Sequence, residues 1–127
     1  MKHTRLTNNQ ISRKNLRKLA NALLDPSVLS EWKFDMYLYT TCAIGFAFKV
    51  GIGKKDRSWD EYVNENLVKT DQNPGIFEYM FSHKWIDKDN TREGAGKRIL
   101  YVLKHGIPEN WRNQLHDSNT QLSYINE

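Results

Sequence analysis

Four tryptophans and a group of arginines and lysines are the residues of this chain best suited to binding a ligand. Indole rings stack on flat aromatic groups, and cationic side chains neutralise phosphates. Residues 94–98 read Gly-Ala-Gly-Lys-Arg at the start of a predicted helix, where free backbone N–H groups attract anions. Packing of these side chains in a core or on a solvated helix face is the simpler interpretation, and the functional hypothesis is a site for a small anionic ligand of the nucleotide type. The predicted ligand residues are Trp59, Trp85, Arg92, Lys97 and Arg98.

The chain has no recognisable set of catalytic residues or metal ligands. Its four histidines are scattered and Cys42 is the only cysteine, whereas a zinc site needs several such ligands at close spacing. Cys42 lies in the most apolar stretch, which is typical of a core thiol rather than a nucleophile. Residues 51–55 (Gly-Ile-Gly-Lys-Lys) lack the spacing and the Lys-Ser/Thr pair of a phosphate-binding P-loop. We therefore expect no cofactor and no metal, and keep a nucleotide hydrolase with an unorthodox site as a second alternative.

Positive charge is concentrated near the N-terminus. Residues 1–24 contain six Lys or Arg and no acid, while the whole chain has a net charge of +4, so the remainder sums to −2. A basic segment of this kind favours an acidic partner, although a solvated helix face that aids solubility is the simpler interpretation. The alternative function is therefore a nucleic-acid-binding module that uses Arg13, Lys14, Arg17 and Lys18.

Apolar periodicity and capping residues predict a mainly α-helical single domain with five or six short helices and little or no strand. The predicted helices lie within residues 12–24, 42–50, 59–67, 76–81, 90–105 and 108–116. Ser12, Thr40 or Thr41, Ser58, and Asn90 or Thr91 are the predicted N-caps, and Gly106 is the predicted stop of the fifth helix. We expect residues 1–11 to be a flexible basic arm, residues 12–116 the helical domain, and residues 117–127 a polar tail.

The apolar stretches of the chain are short. Residues 42–50 form the longest one, whereas a membrane span needs about 20 apolar residues. The first ten residues have no apolar segment typical of a signal peptide, and a single cysteine allows no intrachain disulfide. These observations predict a cytoplasmic protein that does not insert into a membrane.

Several motifs in this order resemble a family of small proteins encoded by tailed phages and prophages. They are residues 34–36 (Phe-Asp-Met), 41–47 (Thr-Cys-Ala-Ile-Gly-Phe-Ala), 77–81 (Phe-Glu-Tyr-Met-Phe), 89–99 (Asp-Asn-Thr-Arg-Glu-Gly-Ala-Gly-Lys-Arg-Ile) and 106–111 (Gly-Ile-Pro-Glu-Asn-Trp). The similarity extends over residues 16–111. Many members of that family have a histidine after the glycine of the second motif. This chain has Phe46 there, which argues against a catalytic or metal-binding histidine at this point.

The resemblance implies an accessory phage protein that acts in the cytoplasm of the host cell. Small phage proteins often block host defence proteins or sequester their nucleotide signals, which is a statement about a class rather than about a site. We therefore expect a non-enzymatic counter-defence protein that binds a host defence protein or a small anionic nucleotide signal. The resemblance assigns no functional residue.

Overall fold

Five α-helices make up most of the described part of the chain. The computed structural model describes residues 3–4, 10–34, 42–53, 58–70, 74–82, 84–85 and 90–114. The helices are α1 (Gln10–Leu24), α2 (Ala43–Val50), α3 (Trp59–Asn66), α4 (Pro74–Phe81) and α5 (Arg92–His105). Strands β1 (His3–Thr4) and β2 (Ile107–Pro108) form a short antiparallel pair, and a 3-10 turn spans Trp111–Gln114. The prediction of a mainly α-helical protein with little strand is confirmed.

Within the N-terminal segment predicted as an arm (residues 1–11), the structure describes residues 3–4 and 10–11. Helix α1 begins at Gln10, two residues before the predicted cap Ser12. His3 and Thr4 pair with Pro108 and Ile107 respectively. Sequence periodicity could not indicate this pairing because it joins two-residue strands about a hundred residues apart. The predicted polar tail, residues 117–127, lies outside the described residues.

Three predicted caps are confirmed, and at α2 another residue occupies the N-cap position. Ser58 caps α3 in a reciprocal capping box with Glu61, and Gly106 ends α5 with a φ of +83°. At α5 the N-cap is Thr91, whose hydroxyl accepts a hydrogen bond from the Gly94 N–H at 3.1 Å, and not Asn90. Cys42 occupies the N-cap position of α2 without a side-chain cap. The predicted caps Thr40 and Thr41 lie outside the described residues.

The C-terminal helix predicted over residues 108–116 is replaced by shorter elements. Pro108 belongs to β2, and the 3-10 turn Trp111–Gln114 follows it at the end of the described residues. Proline fixes φ near the value that both strand and helix starts accept, so its position alone does not distinguish them. The turn still buries Trp111, whose side chain is 2% exposed.

Helices α1 and α5 form an antiparallel pair to which the other helices attach. Arg92 at the start of α5 binds the Leu23 carbonyl at the end of α1, and Arg13 near the start of α1 binds the Leu103 carbonyl near the end of α5. Helices α2 and α3 pack on α1, and α4 packs on α5. The buried apolar residues of all five helices form one core.

Gly96 allows the two paired helices to approach closely. A Cβ atom added there would lie 2.8 Å from Leu24 Cγ and 3.2 Å from the Ala20 carbonyl oxygen. Gly75 in α4 is also helical, but a Cβ atom there would meet only Ile107 Cδ1, at 3.6 Å. The two glycines therefore differ in the space around them and not in helical conformation.

Gly96→Ala is expected to lower the free energy of unfolding by about 1–3 kcal/mol, because the new methyl group overpacks the α1–α5 contact. This loss outweighs the gain in helix propensity of about 1 kcal/mol. Gly75→Ala is the matched control and should leave stability unchanged or raise it by up to about 1 kcal/mol. Urea unfolding followed by circular dichroism measures both. Equal stability of the two variants would show that α1 and α5 do not approach closely at Gly96.

Tyr62 is a buried phenol that links α3 to the end of α2. Its side chain is 0% exposed, and its hydroxyl donates to the Ile52 carbonyl at 2.6 Å. Burial raises the pKa of Tyr62 from 10.0 to about 12, because the phenolate would lose its hydration. The neutral phenol is therefore the form that the folded protein retains.

The raised pKa of Tyr62 predicts a loss of stability at alkaline pH. The contribution of the neutral Tyr62 side chain to the free energy of unfolding amounts to about 2–3 kcal/mol. It is fully present below pH 10 and is lost as pH rises towards 12. Tyr62→Phe removes the titrating group but also the hydrogen bond to Ile52, so it should be less stable than wild type at neutral pH. Urea unfolding across this pH range should show the difference between the two proteins shrinking. A constant difference would contradict the prediction.

Candidate nucleic-acid interface

Helix α1 has an exposed cationic side opposite its buried side. Leu16, Leu19, Ala20 and Leu23 are buried. Lys14, Arg17 and Lys18 are exposed and lie at a spacing of three and four residues, which places them on one side of the helix. Three of the four predicted nucleic-acid-binding residues are therefore together and open to solvent.

Helix α5 extends this cationic surface. Lys97 and Lys104 are exposed and seven residues apart, which is two helical turns or about 10 Å. The contacts of Arg13 with Leu103 and of Gly96 with Ala20 give the register of the antiparallel pair. In that register, the three α1 cations lie beside the stretch of α5 between Lys97 and Lys104.

The exposed sides of α1 and α5 open in the same direction, because both helices turn their apolar residues towards one core. We call the resulting surface the basic face, and it consists of Lys14, Arg17, Lys18, Lys97 and Lys104. Within these two helices Glu93 is the only acidic residue, and it lies at the end of the pair where α1 terminates.

Asp25 lies at that same end. The Ser27 hydroxyl and backbone N–H both donate to its carboxylate, at 2.7 and 3.0 Å, and these hydrogen bonds hold the pKa of Asp25 below its ordinary value. The negative charges are therefore concentrated at one end of the pair, and the cations occupy the remainder.

Arg13 has a different role from the other predicted nucleic-acid-binding residues. It is half-buried, and its guanidinium donates to the Leu103 carbonyl. Carbonyls in the last turn of a helix have no partner within that helix, so Arg13 supplies a donor to the end of α5. The guanidinium of Arg13 therefore stabilises the contact between α1 and α5.

Arg92, one of the five predicted ligand residues, holds the end of α1. Its Nε, Nη1 and Nη2 atoms donate to five carbonyl oxygens at 2.8–3.3 Å. Those carbonyls belong to Ala22, Leu23, Asp25, Val28 and Leu29. The guanidinium carbon also lies 4.7 Å from the centre of the Phe46 ring. The donors of Arg92 are thus directed at the protein's own backbone.

Trp85 and Arg98, two further predicted ligand residues, lie in the core. Trp85 is 5% exposed, and its Nε1 donates to the Tyr79 carbonyl at 2.9 Å. Arg98 is 6% exposed, lies with its guanidinium carbon 4.7 Å from the Trp85 ring centre, and donates to the Met80 carbonyl at 3.4 Å. The Trp111 ring stacks on Trp85 at 6.0 Å. These groups join α4, α5 and the 3-10 turn.

Trp59 and Lys97, the remaining predicted ligand residues, lie apart from that cluster. Trp59 is half-buried beside Phe48 and lines a cavity of about 370 Å³ together with Phe77 and Asp60. Lys97 is exposed and belongs to the basic face. The structure therefore distributes the five residues over four environments and does not assemble them into one pocket.

Two functional candidates were missed in the sequence. Lys104 and Tyr101 share the exposed side of α5 with Lys97. The spacing of three, four and seven residues was the available signal. This spacing indicates a shared surface with the cations of α1 only when the pairing of α5 with α1 is known.

Other kinds of site are not formed by the described residues. They contain no group of three or more His, Cys, Asp or Glu side chains that could hold a metal ion. None of the helices described has the length and apolar character needed to cross a bilayer. The chain matches no protein-family model, no curated protein and no solved structure.

Proposed function

We propose that the protein is a non-enzymatic binding protein whose basic face contacts the phosphate backbone of a nucleic acid. The observation that carries the proposal is the convergence of five exposed cations from α1 and α5 on one surface. Lysine and arginine side chains neutralise phosphates and release the counterions that surround a nucleic acid, which makes binding favourable and sensitive to salt. Contacts of this kind position the protein without reading base sequence.

The test is nucleic-acid affinity as a function of salt for three proteins. If all five cations contact phosphates, duplex affinity should fall by roughly 10²–10³-fold between about 50 and 200 mM salt. The triple variant Lys14→Gln, Arg17→Gln and Lys18→Gln should bind at least about tenfold more weakly and show a smaller salt slope, by roughly one per cation removed. Fluorescence anisotropy of a labelled oligonucleotide measures both quantities.

A matched variant separates the basic face from net charge. This second triple variant removes three exposed cations that lie outside α1 and α5, and it combines Lys33→Gln, Lys49→Gln and Lys69→Gln. It should retain nearly all of the affinity, because local contacts dominate at physiological salt. Equal losses in the two triple variants, or affinity independent of salt, would overturn the proposal. Arg13 is left unchanged because its substitution would disturb the end of α5.

The similarity to small phage proteins supplies a biological setting for this activity. On the basis of the motifs alone, we propose that the protein is a phage accessory protein that acts against host defence in the host cytoplasm. Sequestration of a small nucleotide signal has less support than nucleic-acid binding, because Trp85, Arg92 and Arg98 are engaged within the fold. A host protein with an acidic surface would use the same basic face.

A further inference from the structure

One aromatic side chain lies within the basic face. Tyr101 is 37% exposed and is the large apolar residue that the described part of the chain leaves open to solvent. Its ring centre is 4.7 Å from that of His105, one turn further along α5, and the two rings are tilted by 44°. Lys97 lies one turn before Tyr101, and Lys104 lies one turn after it. An exposed ring is therefore surrounded by cations.

We infer that the partner of the basic face is a single-stranded nucleic acid, one of whose bases stacks on Tyr101. This inference rests on the proposed function and specifies its ligand. The lysines would contact phosphates on either side of the stacked base, and the His105 ring would support Tyr101 from the C-terminal side.

The combination of charge and exposed ring distinguishes single strands from duplexes. A duplex presents phosphates to a convex helical surface but keeps the faces of its bases within the stack, so Tyr101 would gain little from it. An unpaired strand offers base faces, and stacking on an aromatic side chain tolerates any base sequence. Backbone cations combined with a stacking residue are the usual composition of a single-strand site.

The experiment compares three probes of similar length. They are a labelled oligothymidylate of about 12 nucleotides, a duplex of the same length, and inorganic polyphosphate, which has the charge but no bases. Wild type should prefer the single strand over the duplex. Tyr101→Ala should weaken single-strand binding by roughly a factor of ten while leaving polyphosphate binding unchanged. Tyr101→Phe keeps the ring and should bind like wild type.

The outcomes separate this inference from the proposed function. If wild type binds both nucleic acids but Tyr101→Ala binds the single strand as wild type does, the stacking inference fails and the proposed function stands. If wild type binds no nucleic acid at any salt concentration, the proposed function fails and the inference with it. Because Tyr101 is on the surface, both Tyr101 variants should be about as stable as wild type. Urea unfolding of each variant checks that a change in affinity does not come from misfolding.

Discussion

Arg92→Ala is expected to destabilise the protein by about 3–4 kcal/mol. The substitution leaves five carbonyls, two in the last turn of α1 and three in the segment that follows it, without the guanidinium that now donates to them, and it removes the contact with Phe46. A hydrogen bond from a charged donor contributes about 1.5–3 kcal/mol, and several that share one group are not additive. Urea unfolding measured by circular dichroism gives the loss directly. The end of α1 should lose amide protection from hydrogen exchange before the rest of the core.

Two further variants identify the cause of this loss. Arg92→Lys keeps the charge, but an ammonium has three donors and no planar fork, so it should restore only part of the stability. Arg112→Ala is the matched control, because Arg112 is 60% exposed and pairs with the exposed Glu78 at 2.7 Å. It should cost less than about 1 kcal/mol. Similar losses in Arg92→Ala and Arg112→Ala would contradict the role given to Arg92.

The parts of the fold that the sequence predicted well depend on local interactions. Ser58 and Glu61 are three residues apart and bond each other's backbone, and Gly106 ends α5 through its own conformation. The apolar residues of α1 recur at helical spacing, and Leu16, Leu19, Ala20 and Leu23 are buried. Each of these features can be recognised without knowing which segments meet in space.

The candidate site was harder to predict because its residues depend on distant partners. Arg92 was placed in a ligand site on the basis of its charge, but its partners at the end of α1 and in the turns that follow it lie 63–70 residues away in the sequence. Trp85 was selected for its stacking ability, and the structure stacks it on Trp111. Three of the five cations of the basic face were predicted to bind nucleic acid, since the contribution of Lys97 and Lys104 depends on the register of α5 against α1. The local sequence around an arginine does not distinguish one that binds the carbonyls of a helix end from one that binds a phosphate.

Trp85→Ala is expected to lower the free energy of unfolding by about 3–5 kcal/mol. The indole of Trp85 packs against three side chains. Its ring centre lies 4.7 Å from the guanidinium carbon of Arg98, and 5.2 and 6.0 Å from the ring centres of Tyr79 and Trp111. Its removal leaves a cavity and takes a hydrogen-bond donor from the Tyr79 carbonyl. The buried Arg98 guanidinium also loses its cation–π contact with the indole ring. Proteins of this size have a total stability of about 5–15 kcal/mol, so the variant should be partly unfolded at moderate temperature.

Trp59→Ala is the control for Trp85→Ala, because it makes the same substitution at a half-buried tryptophan that was predicted to belong to the same ligand site. It should cost only about 1–2 kcal/mol, in proportion to the smaller apolar area that is exposed. Circular dichroism is the suitable measurement for both variants, since tryptophan fluorescence changes with the substitution itself. If Trp85→Ala were as stable as Trp59→Ala, Trp85 would not be a core residue, and its assignment to a ligand site would regain support.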